Sequence, residues 1–295
     1  MGQPEIAERL NLSQSQISRL LKEAQENGVV RTLVVTPVGL YSDLEEKVRR
    51  RFGLKDVVIA DSAEDSFHAA TSAIGTAAAT YLEETLGPDE LVGISSRSSA
   101  LQATVDAMSP LKAGMVRTVV QSLGAIGDST MRTQASGLTA ALAQLAGARP
   151  VFLATPGVVT DQVVRDGLLA DEQIAAAAAE WKSLTTLLTG IGSMRGPRPT
   201  GGSALIDSDF GNLESSGAIG DVCLNFFTVS GQSATGQMRE RIIGITEDEL
   251  RGVPRRIAVA GGPDKSDAIA AACRGEWINI LITDRYTAER LRANA

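Results

Sequence analysis

At 295 residues, 43% apolar but only 4% aromatic, the chain is long enough for two domains, with interiors filled by Ala, Val, Leu and Ile rather than by rings. Cys223 and Cys273 stand alone and far apart, so neither a disulfide framework nor a cysteine metal pair is indicated, and no apolar run reaches the roughly 18 residues of a membrane span. The net charge of −7 argues against a general affinity for nucleic acid, yet it is uneven: residues 1–60 hold nine Lys/Arg against eight Asp/Glu, the remainder 19 against 27.

The N-terminus shows no secretory signal, so a cytoplasmic protein is expected. Pro4 to Leu10 reads as a short helix with Ile6, Ala7 and Leu10 on one face. Asn11-Leu12 is a turn and Ser13 an N-cap for a second helix, about Gln14 to Glu26. Ile17, Leu20, Leu21 and Ala24 recur at helical spacing and are expected to face inward. A strand over Val29–Thr36 follows, closed by Pro37. Two short helices, a tight turn and a strand predict a winged helix-turn-helix. No acid occurs from Ser13 to Lys22, so the outward face is fit for duplex DNA. On it, Gln14, Ser15, Gln16, Ser18, Arg19 and Lys22 are the candidate DNA-binding residues. Ser and Gln hydrogen-bond base edges, and Arg and Lys neutralise phosphates. Three-helix cores of this kind begin one helix earlier, which leaves two readings open: a head without its first helix, or a sequence whose start is placed too late. Tyr41 to Phe52 reads as a linker helix, carrying the basic run Arg49-Arg50-Arg51.

From Asp56 onward, β-rich runs alternate with Ala-rich helical ones. The strands are expected at 57–60, 91–94, 116–123, 151–154, 184–189, 222–228, 256–260 and 278–282. Helices are expected at 67–86, 99–107, 130–146, 171–180, 266–273 and 285–294. This order predicts a Rossmann-like, mainly parallel α/β sheet covered on both faces, with ligands at the carboxyl ends of its strands. Those ends are rich in Gly, Ser and cations: "VGISSRSSAL" with Ser95 to Ser99, "VVQSLGAIGD", "TGIGSMRG", "GAIGDV" and "VAGGPDKSDAI". Two cationic side chains, Arg97 and Lys265, among glycines and helix starts suit an anionic small molecule, a sugar phosphate.

The segments "PEIAERLNLSQSQISRLLKEAQENGVV", "LVGISSRSSAL", "VVQSLGAIGD", "LLTGIGSM", "GAIGDVCLNFF" and "IGITEDELRGVPRRIAVAGGPDKSDAIAAACRGEWINILITDRYTAERL" resemble, in order and over nearly the whole chain, the SorC-type sugar-responsive bacterial transcriptional regulators. The resemblance implies an effector domain similar to sugar-phosphate isomerases. It also implies a homo-oligomer (dimer or tetramer) on a double-stranded operator, and DNA affinity set by a phosphorylated sugar, with no cofactor. Carried over by position, the effector-binding residues are Ser95, Arg97, Ser98, Ser99, Gly124, Ala125, Arg195, Asp221 and Lys265. Arg97 stands where the family has glycine, which alters how closely the backbone approaches a ligand. The implied organisation is a DNA-binding head over 1–38, a linker helix over 39–55 and an effector-binding and oligomerisation domain over 56–295.

The alternative is a sugar-phosphate isomerase-like enzyme. Such chemistry needs a base beside the substrate, and Asp128, Asp221 and Asp284 lie near strand ends. Helix capping or hydroxyl binding is the plainer role for them. His68, the single histidine, lies at a helix start away from the predicted strand tips, which disfavours a Ser-His-Asp triad or a histidine metal site.

Overall fold

The computed structural model describes residues 3–26, 40–95, 98–127, 129–195 and 205–293. The chain divides into two compact units, Met1–Val35 and Thr36–Ala295.

The smaller unit holds α1 (Gln3–Leu10) and α2 (Gln14–Glu26). Asn11, at φ 52°, turns the chain between them. The Leu12 N–H donates to the Ala7 carbonyl at 3.0 Å. Ser13 and Gln16 form a reciprocal cap: the Gln16 N–H donates to Ser13 Oγ at 3.3 Å, and the Ser13 N–H donates to Gln16 Oε1 at 2.9 Å. Ala7 and Ile17 are buried where the helices cross. Leu20, expected to face inward, is 47% exposed, because this crossing of two short helices is filled by Ala7 and Ile17. The expected strand Val29–Thr36 lies outside the described residues.

The larger unit opens with α3 (Ser42–Phe52) and continues through β1 (Asp56–Ala60), α4 (Phe67–Thr85), β2 (Glu90–Ile94), α5 (Ser99–Ala107), β3 (Val116–Gln121), α6 (Ser129–Ala146) and β4 (Arg149–Val151). Then come α7 (Gln162–Leu169), α8 (Glu172–Ala179), β5 (Thr186–Thr189), β6 (Gly192–Ser193), α9 (Asp207–Ser215), β7 (Ala218–Val222) and β8 (Asn225–Thr228). The unit closes with α10 (Glu247–Gly252), β9 (Arg255–Val259), α11 (Ser266–Arg274), β10 (Ile280–Asp284) and α12 (Arg285–Ala293). Among the described residues, seven strands form one parallel sheet in the order β1-β10-β9-β5-β2-β3-β4, and β6-β7-β8 form a small antiparallel sheet. Apolar side chains pack on both faces of the large sheet. Leu187, Ala258 and Leu281 lie in one buried cluster, and their neighbours Leu188, Val259 and Ile282 lie in another.

Several expectations are corrected. The helix read as a linker is part of the larger unit: Leu44 and Val48 of α3 are buried in its core, and Glu45 Oε1 accepts the N–H of Ile59 on edge strand β1 at 2.9 Å. Its basic run is engaged locally. Arg49 and Arg50 both donate to Glu46, and Arg51 donates to the Arg292 carbonyl of α12 at 2.6 Å. The single strand expected over 222–228 is a hairpin instead. Cys223 and Leu224, at φ 52° and 59°, turn the chain between β7 and β8. That pair has none of the Asn or Gly such a turn favours. Tertiary bonds hold it: Asn225 Nδ2 donates to the carbonyls of Val222 and Ile245 at 3.1 and 3.2 Å, and Arg239 donates to Asn225 Oδ1 at 2.6 Å. Finally, α7, α9 and α10 occupy stretches in which no helix was expected.

Candidate functional site

The sheet topology places a crevice. From β2 the chain moves outward through β3 and β4, then returns to place β5 on the other side of β2. Two connections thus leave in opposite directions from the carboxyl ends of β2 and β5, where such sheets take ligands. A cavity of about 450 Å³ lies there, large enough for a small metabolite.

Ser95 follows β2, Thr189 ends β5 and Gly190 follows it; all three line the cavity. Ser98 caps α5, its Oγ accepting the Leu101 N–H at 3.2 Å, and Ser98 and Ser99 line the same space. Lys265 lines it from the start of α11, with its ammonium 5.9 Å from the centroid of Phe67. The amino termini of two nine-residue helices therefore reach one cavity, and their first N–H groups have no partners within the helix.

The Gly261-Gly262 loop is built to hold Lys265 there. Gly262 has φ 102°, a conformation open to glycine. Its N–H donates to Asp284 Oδ2 at 2.9 Å and to Thr287 Oγ1 at 3.0 Å. Asp284 also accepts from the Thr287 N–H at 3.0 Å and from Thr287 Oγ1 at 2.6 Å. It is 1% exposed, so its carboxylate is fully committed to capping α12 and tying down the loop. Asp221 lines the cavity, and its Oδ2 accepts the Leu224 N–H at 3.0 Å. His68 is exposed on α4 and is absent from the lining.

Of the sequence-derived residues, Ser95, Ser98, Ser99, Asp221 and Lys265 share this cavity. Ser96, Arg97 and Asp128 lie outside the described residues. Gly124 and Ala125 do not line it. Their N–H groups donate to the Ile243 and Thr155 carbonyls, both at 2.9 Å, and their flanking neighbours Leu123 and Ile126 line the space instead. Arg195 also stays outside the lining: it is exposed and pairs with Asp267 at 2.9 Å, offsetting the acid in the first turn of α11. Sequence reasoning missed Phe67 and the apolar wall formed by Leu205, Phe210, Leu224 and Phe226. The hairpin, α9 and Leu205 just before α9 bring that wall to the strand tips.

Cys223 also lines the cavity, its Sγ 3.6 Å from Thr189 Oγ1 and 3.7 Å from Ser122 Oγ. Burial pushes its thiol up to about 11, and burial likewise pushes Cys273 up to about 12. A raised thiol pKa stabilises the fold fully below the unfolded value of about 8.5, and the contribution is lost as pH rises through the folded value. Urea unfolding at pH 8 and pH 10.5 is expected to show a loss of about 2 kcal/mol per thiol that a C223A/C273A double variant escapes. An equal loss in both proteins would refute it.

On α2, Gln14, Ser15, Gln16, Ser18, Arg19 and Lys22 are all exposed. Gln16 Oε1 is occupied by the Ser13 cap, and Ser15 Oγ lies 3.0 Å from Ser13 Oγ. Arg19 lies 3.9 Å from Glu23, a solvent-exposed pair of little energetic weight. Among the described residues no helix is long and apolar enough to cross a membrane.

Residues 36–292 match the family described as "Putative sugar-binding domain", and residues 1–31 match "Winged helix-turn-helix DNA-binding". The chain is 28% identical over 290 residues to the deoxyribonucleoside regulator of Bacillus subtilis (strain 168), covering 98% of this chain and 92% of that one. It is 28% identical over 294 residues to the sorbitol operon regulator of Klebsiella pneumoniae, covering 99% and 93%. The crystal structure of that full-length Klebsiella regulator, SorC, matches with a TM-score of 0.80 and 27% identity, over 99% of this chain and 94% of that one. A parallel α/β unit with a cavity at its strand tips, joined to a winged helix-turn-helix, makes this chain a member of the SorC-type family of sugar-binding, DNA-binding transcriptional regulators.

Proposed function

We propose that the cavity binds a phosphorylated sugar and that its occupancy sets the grip of α2 on a double-stranded operator. One observation carries the reading. The amino termini of α5 and α11, with the Lys265 ammonium, border a single cavity at the ends of the parallel strands. Aligned backbone N–H groups plus a cation suit a phosphate dianion. The Asp221 carboxylate beside them suits sugar hydroxyls.

The reading is one of binding rather than turnover. Asp284 is buried and spent on the loop, so it is not poised as the base an isomerase requires, and Asp221, which accepts the Leu224 N–H through Oδ2, is read as a partner for sugar hydroxyls. The protein acts in the cytoplasm as a homo-oligomer, and two heads read a near-palindromic operator. The sugar phosphate shifts DNA affinity by the difference in its own affinity for the DNA-bound and free arrangements.

Paired variants test this division of labour. Arg19→Ala is expected to weaken operator binding about tenfold and to lower the salt dependence by about one ion, with effector binding unchanged. Lys265→Ala is expected to keep effector-free operator binding and to lose most of the thermal stabilisation by sugar phosphates. Loss of both activities in either variant would overturn the assignment of one role to each unit.

A further inference from the structure

Two routes of contact lead from the cavity to the start of α3. The first runs through the Gly262 loop. Asp284, which holds that loop, also accepts the Thr287 N–H and so caps α12, whose first residue is Arg285. β1 and β10 pair in parallel with Ala60 opposite Asp284, so the residues that follow them, Asp61 and Arg285, come together. Arg285 Nε lies 3.5 Å from Asp61 Oδ1, and the Tyr41 hydroxyl donates to the same oxygen at 2.7 Å. The second route runs through Phe67, which lines the cavity and whose Cα would lie 3.6 Å from a Cβ on Gly262. Phe67 opens α4 after the 61–66 loop, and α12 clamps that loop near both ends, with Arg285 at Asp61 and Arg290 at Asp65.

Both routes converge on Asp61, and Tyr41 connects Asp61 to α3. The Tyr41 carbonyl accepts the Leu44 and Glu45 N–H groups at 2.8 and 2.9 Å, and its ring packs against the apolar core. Burial and the Asp61 carboxylate push its phenol up, so the hydroxyl stays a donor. Along the chain, α3 is the first described helix after the smaller unit ends at Val35. We infer that the Tyr41–Asp61–Arg285 cluster is a latch that carries the state of the cavity to the start of α3, and from there along the chain to the DNA-binding unit. The inference rests on the reading above, that cavity occupancy sets operator affinity. Tyr41 and Asp61 are positioning residues: neither lines the cavity nor belongs to the smaller unit. Tyr41→Phe removes the bond to Asp61 and keeps the ring in its packing, and a single hydrogen bond of this kind carries about a three- to tenfold effect.

The test is a double-mutant cycle in the full-length protein. Hydrogen–deuterium exchange is read at the first turn of α3, relative to β3 on the far half of the sheet. Asp284→Asn, which loosens the loop and the α12 cap, is expected to raise this ratio about threefold or more. In a Tyr41→Phe background, where the turn is already released, Asp284→Asn is expected to add about 1.5-fold or less. An unchanged ratio in Asp284→Asn, or the same factor in both backgrounds, would overturn the latch. A second arm needs only Tyr41→Phe. Affinity for a duplex of the gene's own promoter is measured with and without ribose 5-phosphate, glucose 6-phosphate and fructose 6-phosphate. The ester with the largest effect on the wild type is expected to bind Tyr41→Phe equally well, yet to change its operator affinity by about a third of the wild-type factor or less. A full response in Tyr41→Phe would overturn the latch and leave the phosphate reading standing. If none of the three esters changes wild-type operator affinity, it is the phosphate reading that fails, and the exchange cycle alone decides the latch.

Discussion

Replacing Asp284 with alanine is expected to destabilise the larger unit by about 3 kcal/mol and to weaken effector binding more than tenfold even where the variant remains folded. Asp284 accepts from three donors: the N–H of Gly262, the N–H of Thr287 and Thr287 Oγ1. Hydrogen bonds to a buried charge are the strong ones, and removing the acceptor leaves donors stranded away from water. Gly262 keeps its second acceptor, Thr287 Oγ1, but the Thr287 N–H loses its carboxylate cap. The functional consequence follows from geometry. Gly262 lies three residues before Lys265, and the Lys265 N–H donates back to the Gly262 carbonyl at 3.3 Å. Freed from Asp284, the loop no longer fixes the ammonium at the cavity. Chemical denaturation and calorimetric titration against a sugar phosphate check the two halves separately. Asp284→Asn, which keeps one acceptor oxygen, is expected to recover part of both losses. A stable Asp284→Ala variant with undiminished ligand affinity would contradict this account of the loop.

The second large effect is expected at Gly124, where alanine costs about 3 kcal/mol. A Cβ there would lie 2.5 Å from the Pro156 carbonyl oxygen and 2.7 Å from its carbon. These are backbone atoms of a segment that cannot step aside. The Ala125 N–H donates to the Thr155 carbonyl at 2.9 Å, the Gly157 N–H to Ala125 at 2.7 Å and the Ile243 N–H to Gly157 at 2.9 Å, so three chain segments are laced together at this point. Because Leu123 and Ile126 flank the glycine and line the cavity, the same substitution is expected to reduce effector affinity. Gly137, on α6, provides the contrast: it is exposed, with nothing within 4 Å of a Cβ, and alanine there is expected to stabilise by about 0.5–1 kcal/mol. Urea midpoints of the two variants measure both. A Gly124→Ala protein as stable as the parent would show that the laced segments yield.

Much of the cavity's polar side follows from local sequence. Ser98 before an apolar-periodic run makes a cap, and glycines ahead of Lys265 make a loop at a strand end. Such signals live within a few residues, where turn and capping chemistry acts. Three of the expected effector residues lie outside the cavity lining for a shared reason. Gly124, Ala125 and Arg195 sit in motifs next to the cavity, but whether a residue faces it is decided by partners far away in the chain: Ile243 and Thr155 for the first two, Asp267 for the third. The expected strand over 222–228 broke at Cys223-Leu224 because Asn225, Arg239 and Ile245 hold a turn that this pair does not itself favour.

Alternating β-rich and Ala-rich runs determined by themselves the parallel α/β architecture, and the spacing of Ala7, Ser13 and Ile17 determined the paired helices of the head. Periodicity and capping are local and therefore legible. The tertiary structure alone decided three things: that the Tyr41–Phe52 segment belongs to the body, that Asp284 holds a loop, and that an apolar wall faces the helix termini. Each depends on contacts between residues distant in sequence, and no local pattern of side chains specifies which distant partner will fill a given space.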